Sequence, residues 1–363
     1  PKKMSQTLRD RFTLVIPTYN RYPFLLRLLS FYESYGFPFS ILVLDSSSDP
    51  LELEELNDLF AHGSVTYKKF DTDIFLEDKI ARGVMDISTP YATLCGDDDF
   101  IIPTGVKECI KFLEQNPDYS CVQGLYIHHR SASKRKARKF KWAPLYFNAH
   151  SIEFEKAHQR VYAYLAIPRK AGGQHYYAVH RSDTLRIIRK ETAKYAPVYN
   201  LGELFSGSLS LIYGKRKILP VFFSSREPHN SPFFDEVYYR GLYSPENCEK
   251  AIRGIAKHLE KAEGLRFEDA KLMAKKSLNA YVNRAFRSKK SYSSTSSTQK
   301  ITLKTLRLKN SLISRLYRIP YSRLLTRKSS PFYPDYLRLK KVLLSSGLDS
   351  KESDHGRITR RLA

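Results

Sequence analysis

The sequence has little of what disulfide-rich or membrane-spanning proteins need. It has four cysteines in 363 residues, at positions 95, 109, 121 and 248, and no two of them form a C-x-x-C pair. Reduced thiols in a packed core are typical of cytoplasmic proteins. No run of about 18 uninterrupted apolar residues is present, and no charged-then-apolar leader precedes Met4. We therefore expect a cytoplasmic protein without a spanning helix or a secretory signal.

Acidic residues are scarce relative to basic ones, since 61 Lys and Arg against 37 Asp and Glu give a net charge of +24. About two thirds of this excess lies from Arg284 onwards. An anionic partner is expected: nucleic acid, an acidic membrane leaflet or a phosphorylated substrate. We find no zinc module, RNA-recognition signature or glycine-clamped loop, so nucleic acid is the least supported of the three.

The first part of the chain alternates between short apolar runs and amphipathic segments, which is typical of β-α-β units. We predict strands at residues 12–16, 40–44, 64–70 and 91–95, and helices at 24–32, 51–60, 76–86 and 104–115. We next predict strands at 119–127, 172–180 and 217–223, a surface loop at the basic stretch 130–141, and helices at 201–213 and from 245. The predicted fold class is α/β: a mixed sheet flanked by helices, followed by a basic, mainly helical C-terminal region.

Three adjacent aspartates, Asp97, Asp98 and Asp99, follow the fourth predicted strand. Like charges at this spacing repel, and carboxylates are rarely buried without a partner. A hard cation such as Mn²⁺ or Mg²⁺ would resolve the conflict, because it prefers oxygen ligands and bridges carboxylates to phosphates. The alternative is a solvated acidic turn in which Asp99 caps the following helix. Ligands of open α/β sheets bind at the carboxyl ends of the strands, so Thr18, Asp45 and Asp97 are expected to converge on one crevice.

Three motifs, in this order, resemble those of the family 2 glycosyltransferases with the Rossmann-like GT-A fold. They are Ile16-Pro17-Thr18-Tyr19-Asn20 at the end of the first strand, Asp45 followed by three serines at the end of the second, and Asp97-Asp98-Asp99 after the fourth. The resemblance implies a metal-dependent enzyme that moves a sugar from a nucleotide-sugar donor to a glycan or glycolipid acceptor, with inversion at the sugar. It also implies Mn²⁺ or Mg²⁺ as the cofactor.

The resemblance further implies roles for individual residues. The nucleotide-binding residues would be Pro17, Thr18, Asn20, Asp45, Lys79, Arg82 and Asp97. The metal ligands would be Asp97, Asp99 and His229, and the base that deprotonates the acceptor would be Glu203. Simpler alternatives are a solvated helix face for Lys79 and Arg82, and a surface position for His229. For Glu203 the alternative is a charge that complements the dipole at the start of its helix.

We predict an N-terminal extension at residues 1–10, a GT-A catalytic domain at 11–240, a helical extension at 241–287 and a basic helical tail at 288–363, with a low-complexity linker at 288–297. Residues 312–327 alternate between apolar and cationic side chains, and such a segment can lie on an anionic leaflet. Peripheral attachment to the inner leaflet would suit transfer to a lipid-linked acceptor in bacterial surface polysaccharide synthesis. The alternative is a helical appendage packed on the catalytic domain or on another subunit.

Two other functions stay open at this point. One is a nucleotidyltransferase on a similar fold, although the glycine-rich basic loop expected after its first strand is absent. The other is a basic protein that binds nucleic acid or membrane without catalysis.

Overall fold

The computed structural model describes residues 7–49, 63–132, 139–145, 150–166, 175–198, 200–227, 243–293 and 327–346. Within these ranges nine strands form one mixed sheet. The strands are β1 (Phe12–Thr18), β2 (Ser40–Asp45), β3 (Val65–Lys69), β4 (Tyr91–Leu94), β5 (Phe100–Ile101), β6 (Tyr119–Ala132), β7 (Lys139–Leu145), β8 (Val179–Arg181) and β9 (Lys215–Arg226). Their order is β3-β2-β1-β4-β8-β6-β9-β5, and β7 pairs with β6 at the side.

The described ranges contain ten helices. They are α1 (Leu8–Arg11), α2 (Tyr22–Glu33), α3 (Leu76–Gly83), α4 (Pro103–Gln115), α5 (Ala157–Ala166), α6 (Ser182–Tyr195), α7 (Leu201–Tyr213), α8 (Pro245–Glu263), α9 (Phe267–Ser293) and α10 (Tyr333–Ser345). In the same part of the chain, no helix combines the length and the apolar character needed to cross a membrane.

The strands β3, β2, β1 and β4 run parallel to one another, which directs their carboxyl ends to the same edge. All residues of β1 except Pro17 are buried, as expected for a strand with helices on both faces. Helix α2 begins directly after this strand, with a proline in its first turn, where the fixed φ of proline suits a helix start. The short connection therefore leads from the end of β1 back over the sheet.

The buried hydrophobic residues form two clusters. The first lies between the sheet and its flanking helices, and the second joins α5, α6, α7, α8 and α9. Helix α10 belongs to the first cluster through Phe332, Leu339 and Leu343, and the Tyr35 hydroxyl donates a hydrogen bond to Asp335 Oδ1 over 2.6 Å. This part of the basic tail therefore packs on the sheet and its flanking helices, while residues 312–326 lie outside the described residues.

Most of the predicted elements are confirmed, and the helix predicted at 201–213 has the bounds of α7. The helix predicted at 51–60 lies outside the described residues. The surface loop predicted at 130–141 is wrong at both ends, because β6 and β7 pair antiparallel there and exchange backbone hydrogen bonds. Basic side chains are compatible with such a strand pair when they face solvent.

The strand predicted at 172–180 is wrong for residues 175–178, since residues 175–177 form a turn of 3-10 helix and the strand begins only at Val179. Residues 172–174 lie outside the described residues. The buried His180 ring lies 3.1 Å from the His175 carbonyl, a local contact that competes with an extended backbone. The linker predicted at 288–297 is wrong for its first six residues, because α9 continues to Ser293. Each residue added to an existing helix adds a hydrogen bond at little cost, so polar composition alone does not end it. Helix α9 thus crosses the predicted domain boundary after residue 287.

Candidate active site

The polar ends of β1, β2 and β4 meet in one crevice, as predicted. Thr18 and Asp45 are paired residues in the register of β1 and β2, and Thr18 Oγ1 donates to Asp97 Oδ2 over 2.8 Å. Lys79, on α3, donates to the Thr18 carbonyl and to Ser46 Oγ, each over 2.8 Å. Burial lowers the pKa of Lys79 to about 8, so the amine is still mostly protonated at neutral pH. This lysine therefore ties together the two strand ends that frame the crevice.

The three aspartates are buried, with 4%, 6% and 2% of Asp97, Asp98 and Asp99 exposed. Burial raises the pKa of the Asp97 carboxyl to about 6, and the nearby Arg21 opposes this shift. Helix α4 begins only at Pro103, so Asp99 does not cap it. The alternative of a solvated, helix-capping turn is therefore wrong, and the carboxylates need other partners.

Two arginines are among these partners. Arg21 Nη2 lies 2.5 Å from Asp98 Oδ2, and its Nε lies 3.4 Å from Asp97 Oδ1. Arg226 Nε donates to Asp99 Oδ2 over 2.8 Å. Neither arginine is among the residues predicted from the sequence, although Arg226 ends β9 and Arg21 lies in the short connection after β1. The triplet is thus held by cations that come from distant parts of the chain.

A fully buried ion pair between Arg27 and Glu227 also contacts the triplet. Arg27 Nη2 lies 2.9 Å from Glu227 Oε2 and donates to the Asp98 carbonyl over 3.1 Å. The backbone amide of Glu227 donates to Asp99 Oδ1 over 3.1 Å. Burial acts to raise the pKa of Glu227, but His129 and Arg27 outweigh it and hold this pKa below its ordinary value. Glu227 therefore holds Arg27 through its carboxylate and contacts Asp99 through its backbone amide.

Gly96, the residue before the triplet, lies close to two side chains of the site. A Cβ there would lie 2.9 Å from Asp98 Oδ1 and 2.9 Å from the Tyr177 hydroxyl. The Gly96 amide donates to that hydroxyl over 3.3 Å. A side chain at this position would therefore displace the Asp98 carboxylate or the Tyr177 hydroxyl.

Asp45 is fully buried and accepts hydrogen bonds from many donors. Ser47 donates through its amide over 2.8 Å and through Oγ over 2.5 Å. Tyr22 donates over 2.8 Å, Lys69 over 3.1 Å, and the Tyr67 hydroxyl donates as well. A carboxylate has about four lone-pair sites, so these donors satisfy the hydrogen-bonding capacity of Asp45. Its predicted contact with the nucleotide base stays a prediction, and in this geometry Asp45 mainly orients Lys69 and the two tyrosines.

A cleft of about 1090 Å³ lies beside Asp45. It is lined by Ser47, Ser48, Lys68, Lys69, Phe70, Asp71, Thr72, Asp73 and Arg82. The exposed Arg82 faces this cleft, whereas Lys79 is buried between the strand ends. Asn20 adopts a positive φ of 53°, and its Oδ1 accepts from the Ser48 amide over 2.9 Å, which fixes the loop after β1 against the loop after β2.

Glu203 lies in the first turn of α7, half-buried, beside the helix that carries Lys79. A Cβ added to the neighbouring Gly202 would lie 3.1 Å from Glu77 Oε1, so α7 and α3 are in close contact. Glu77 is 4% exposed, and its Oε2 lies 3.8 Å from Arg189 Nη1. The predicted base therefore stands next to a buried glutamate and arginine.

This buried glutamate predicts a pH dependence of stability. Burial raises the pKa of Glu77 to about 7, with Arg189 opposing and Glu203 adding to the shift from the ordinary value of 4.5. Between these two pH values the folded state keeps a proton that the unfolded state has released, so the free energy of unfolding falls as pH rises. Urea unfolding at about pH 5 and about pH 7.5 should show that the wild type loses on the order of 1–3 kcal/mol more than Glu77→Gln, because the raised pKa of Asp97 acts in the same direction in both proteins. The same loss in both proteins would contradict the assignment, and the exposed Glu268→Gln serves as control.

The chemistry of the triplet fits a divalent metal held by one or two carboxylates and completed by phosphate oxygens. Among the side chains that the structure describes, no three His, Cys, Asp or Glu residues are grouped as a metal site. His229, the third predicted ligand, lies outside the described residues. The assignment of Asp97 and Asp99 as metal ligands therefore stays a prediction. A metal bound to these two carboxylates would have Arg21 and Arg226 as neighbours.

The model of the family described as Glycosyl transferase family 2 matches residues 13–175. This span holds the ends of β1, β2 and β4 and the aspartate triplet. Residues 13–175, just under half of the chain, therefore match a glycosyltransferase family 2 domain. The enzyme class expected from the three motifs is thereby confirmed.

Two crystal structures of S. aureus TarS 1-349 have a similar fold. The complex with UDP aligns with a TM-score of 0.51 over 76% of this chain and 72% of that chain, at 14% identity. The complex with UDP-GlcNAc aligns with a TM-score of 0.52 over 76% and 73%, also at 14% identity. This similarity confirms the predicted GT-A fold of the family 2 domain. No curated protein matches the chain.

Proposed function

We propose that the protein transfers a sugar from a nucleoside-diphosphate-sugar donor to a glycan or glycolipid acceptor. The observation that carries this proposal is the meeting of Thr18, Asp45 and the buried aspartate triplet at one edge of the sheet. That edge is where open α/β sheets bind nucleotides. TarS was crystallised with UDP and with UDP-GlcNAc, which supports the same class of donor here.

The proposed nucleoside site is the cleft beside Asp45. Lys69 and Arg82 supply positive charge there, and Phe70 supplies an aromatic face for a base. Thr18 and Asp97 would contact the ribose, while Pro17 and Asn20 shape the loop that borders it. The diphosphate would then extend towards the triplet, where Arg21 and Arg226 carry positive charge.

We include Mn²⁺ or Mg²⁺ as the proposed cofactor, with Asp97 and Asp99 as the residues that would hold it. When bound, the metal would neutralise the negative charge that develops on the diphosphate leaving group. The carboxylate of Asp98 is engaged by Arg21 and stays outside this ligand set.

Glu203 is the proposed general base. Its carboxylate would take the proton of the acceptor hydroxyl as the hydroxyl oxygen bonds to the anomeric carbon of the sugar. The bond between that carbon and the diphosphate oxygen breaks at the same time, and its electron pair leaves with the diphosphate. Attack from the face opposite to the leaving group inverts the configuration at the sugar.

The proposed acceptor is a glycan or lipid-linked intermediate of bacterial surface polysaccharide synthesis, reached at the cytoplasmic face of the membrane. The net charge of +24 and the alternation of apolar and basic residues at 312–327 support peripheral attachment to an anionic leaflet. Most of this segment lies outside the described residues, so the support comes from sequence alone.

A thermal-shift screen with UDP-, GDP-, CMP- and TDP-sugars, each with and without Mn²⁺, tests the donor. One nucleotide class should stabilise the folded protein, by about 2.7 kcal/mol at a ligand concentration near 100 times Kd, and should do so more strongly with metal. The exposed Asp118→Asn variant should respond like the wild type. If no sugar nucleotide raises the unfolding temperature, the proposal is wrong.

A further inference from the structure

Helix α10 is fixed to the sheet and its flanking helices through one face. Its buried residues Asp335, Leu339 and Leu343 follow one another at spacings of four residues, so they lie on the same side of the helix. The Tyr35 hydroxyl donates to Asp335 Oδ1 over 2.6 Å, and the Arg338 guanidinium carbon lies 4.2 Å from the centre of the Tyr35 ring. The opposite side of α10 therefore points away from the sheet.

This outer face of α10 combines two lysines with an exposed leucine. Leu337 is 44% exposed, and Lys340 and Lys341 follow it at three and four residues, both exposed on the same side of the helix. Residues 327–346 contain five basic residues and a single acid, Asp335. Because Asp335 is buried on the inner side, the outer face of α10 carries positive charge around an aliphatic side chain.

We propose that the outer face of α10 is a docking surface for an anionic lipid leaflet. The lysine ammonium groups would pair with the lipid headgroups, while Leu337 enters the boundary between headgroups and acyl chains. The inference rests on the proposed function in one respect, since transfer to a lipid-linked acceptor gives such docking its purpose. It adds a defined surface on a folded helix, separate from the segment at 312–327.

The exposed leucine favours a lipid leaflet over other partners. A nucleic-acid backbone is bound by cations and hydrogen-bond donors, and it gains nothing from an aliphatic side chain placed among them. A second copy of the chain is disfavoured, because two such faces would bring like charges together. An anionic leaflet suits both kinds of group, since it offers negative charge at its surface and hydrocarbon below.

The outer face of α10 has a fixed place relative to the crevice. Tyr35, which holds α10, lies just after the end of α2, and Tyr22 at the start of α2 donates to Asp45 Oδ2 over 2.8 Å. A helix of 12 residues is about 18 Å long, so α2 joins the two places over a short distance. A leaflet bound by α10 would therefore hold the crevice at a constant position beside the membrane.

Helix α9 provides an internal comparison, because it repeats the pattern of α10. Leu272 is 67% exposed, and Lys275 and Lys276 follow it at three and four residues, both exposed. The difference is an acid: the exposed Glu268 lies four residues before Leu272, on the same side of α9. Equal substitutions in the two helices therefore change the net charge equally, but only those in α10 alter the proposed docking surface.

The experiment floats the full chain with vesicles of phosphatidylglycerol and phosphatidylcholine, and with vesicles of phosphatidylcholine alone. The wild type should bind the anionic vesicles and bind the neutral ones far more weakly. The double variant Lys340→Gln, Lys341→Gln should lower partitioning into anionic vesicles by at least about tenfold, because each lysine near the surface contributes about fivefold. Leu337→Gln should lower it by about threefold to tenfold, through the loss of buried aliphatic surface.

The matched controls are the same changes in α9. The double variant Lys275→Gln, Lys276→Gln and the single variant Leu272→Gln should float like the wild type. All the substituted side chains are exposed, so each variant should keep the unfolding temperature of the wild type, and this measurement shows that it is folded.

Three outcomes overturn the inference. The first is that the wild type does not float with anionic vesicles, or that the α10 lysine variant floats as well as the wild type. The second is an equal loss in the α9 lysine variant, which would mean that net charge and not the outer face of α10 controls binding. The third is that Leu337→Gln has no effect while the α10 lysine variant loses binding to a single-stranded oligonucleotide, which would assign the surface to nucleic acid.

The proposed function is measured separately in the same variants. None of the substituted residues lies in the crevice, so the thermal shift caused by a sugar nucleotide should match that of the wild type in every variant. If a sugar nucleotide binds but flotation does not follow the expected order, the donor proposal stands and the docking surface is lost. If flotation follows the order but no sugar nucleotide binds, the docking surface stands and the proposed transfer is lost.

Discussion

Replacement of Asp99 by asparagine is expected to lower sugar transfer by at least about a thousandfold, because a metal that stabilises a leaving diphosphate contributes several kcal/mol. The amide keeps the shape of the side chain and can still contact Arg226, so the fold should be retained. What it loses is the negative charge that would hold the metal. Initial rates of transfer at saturating donor and Mn²⁺, compared with the wild type, measure the effect.

The matched control for this variant is Asp118→Asn. Asp118 is an acid outside the crevice, and its carboxylate lies 3.0 Å from Lys215 Nζ. This change also removes one negative charge from the surface of the protein but should leave transfer unchanged. If Asp99→Asn keeps most of its activity in the presence of Mn²⁺, Asp99 is not a metal ligand and the metal-dependent mechanism has to be abandoned.

The location of the crevice could be predicted from the sequence because it depends on local patterns. Short apolar runs indicate buried parallel strands, and the first polar residue after each run marks the ligand-binding edge. Thr18, Asp45 and Asp97 each stand at such a point, and the structure brings them together. The burial of the triplet is a finding of the structure, because the sequence left a solvated, helix-capping turn open.

The partners of the triplet could not be predicted in this way. Arg226 and Asp99 are separated by 127 residues and meet only because β9 pairs with β5, just after the triplet. The pair between Arg27 and Glu227 spans 200 residues. No spacing rule connects such residues, since their contact depends on the order of strands in the sheet. For the same reason, the hydrogen bonds from Tyr22 and Tyr67 to Asp45 are visible only in the structure.

The errors in the predicted elements have a different cause. Composition suggested a loop at 130–141 and a linker at 288–297, because both stretches are polar. In the first stretch, the pairing of β6 with β7 outweighs the preference of polar residues for loops. In the second stretch, the continuation of α9 outweighs it. Residues that contribute little to a core can still join a regular element when a neighbouring strand or helix already provides the hydrogen-bonding partners.

Glu203→Gln is expected to lower transfer by about a hundredfold to ten-thousandfold, the range for loss of a general base, while donor binding stays intact. The amide occupies the same space in the first turn of α7 but cannot take the proton of the acceptor hydroxyl. The turnover number should therefore fall, whereas the unfolding-temperature shift caused by the donor should match that of the wild type.

The competing explanation for Glu203 is that its charge complements the dipole of α7. Loss of such a charge costs about 0.3–1 kcal/mol of stability and has no effect on chemistry. Glu268 is a suitable control, because it is an acid in the first turn of α9, outside the crevice. If Glu203 acts only on the helix, Glu203→Gln and Glu268→Gln should lower stability by similar amounts and both should retain transfer. If Glu203 is the base, only Glu203→Gln should lose transfer, and the loss should be far larger than its change in stability can explain.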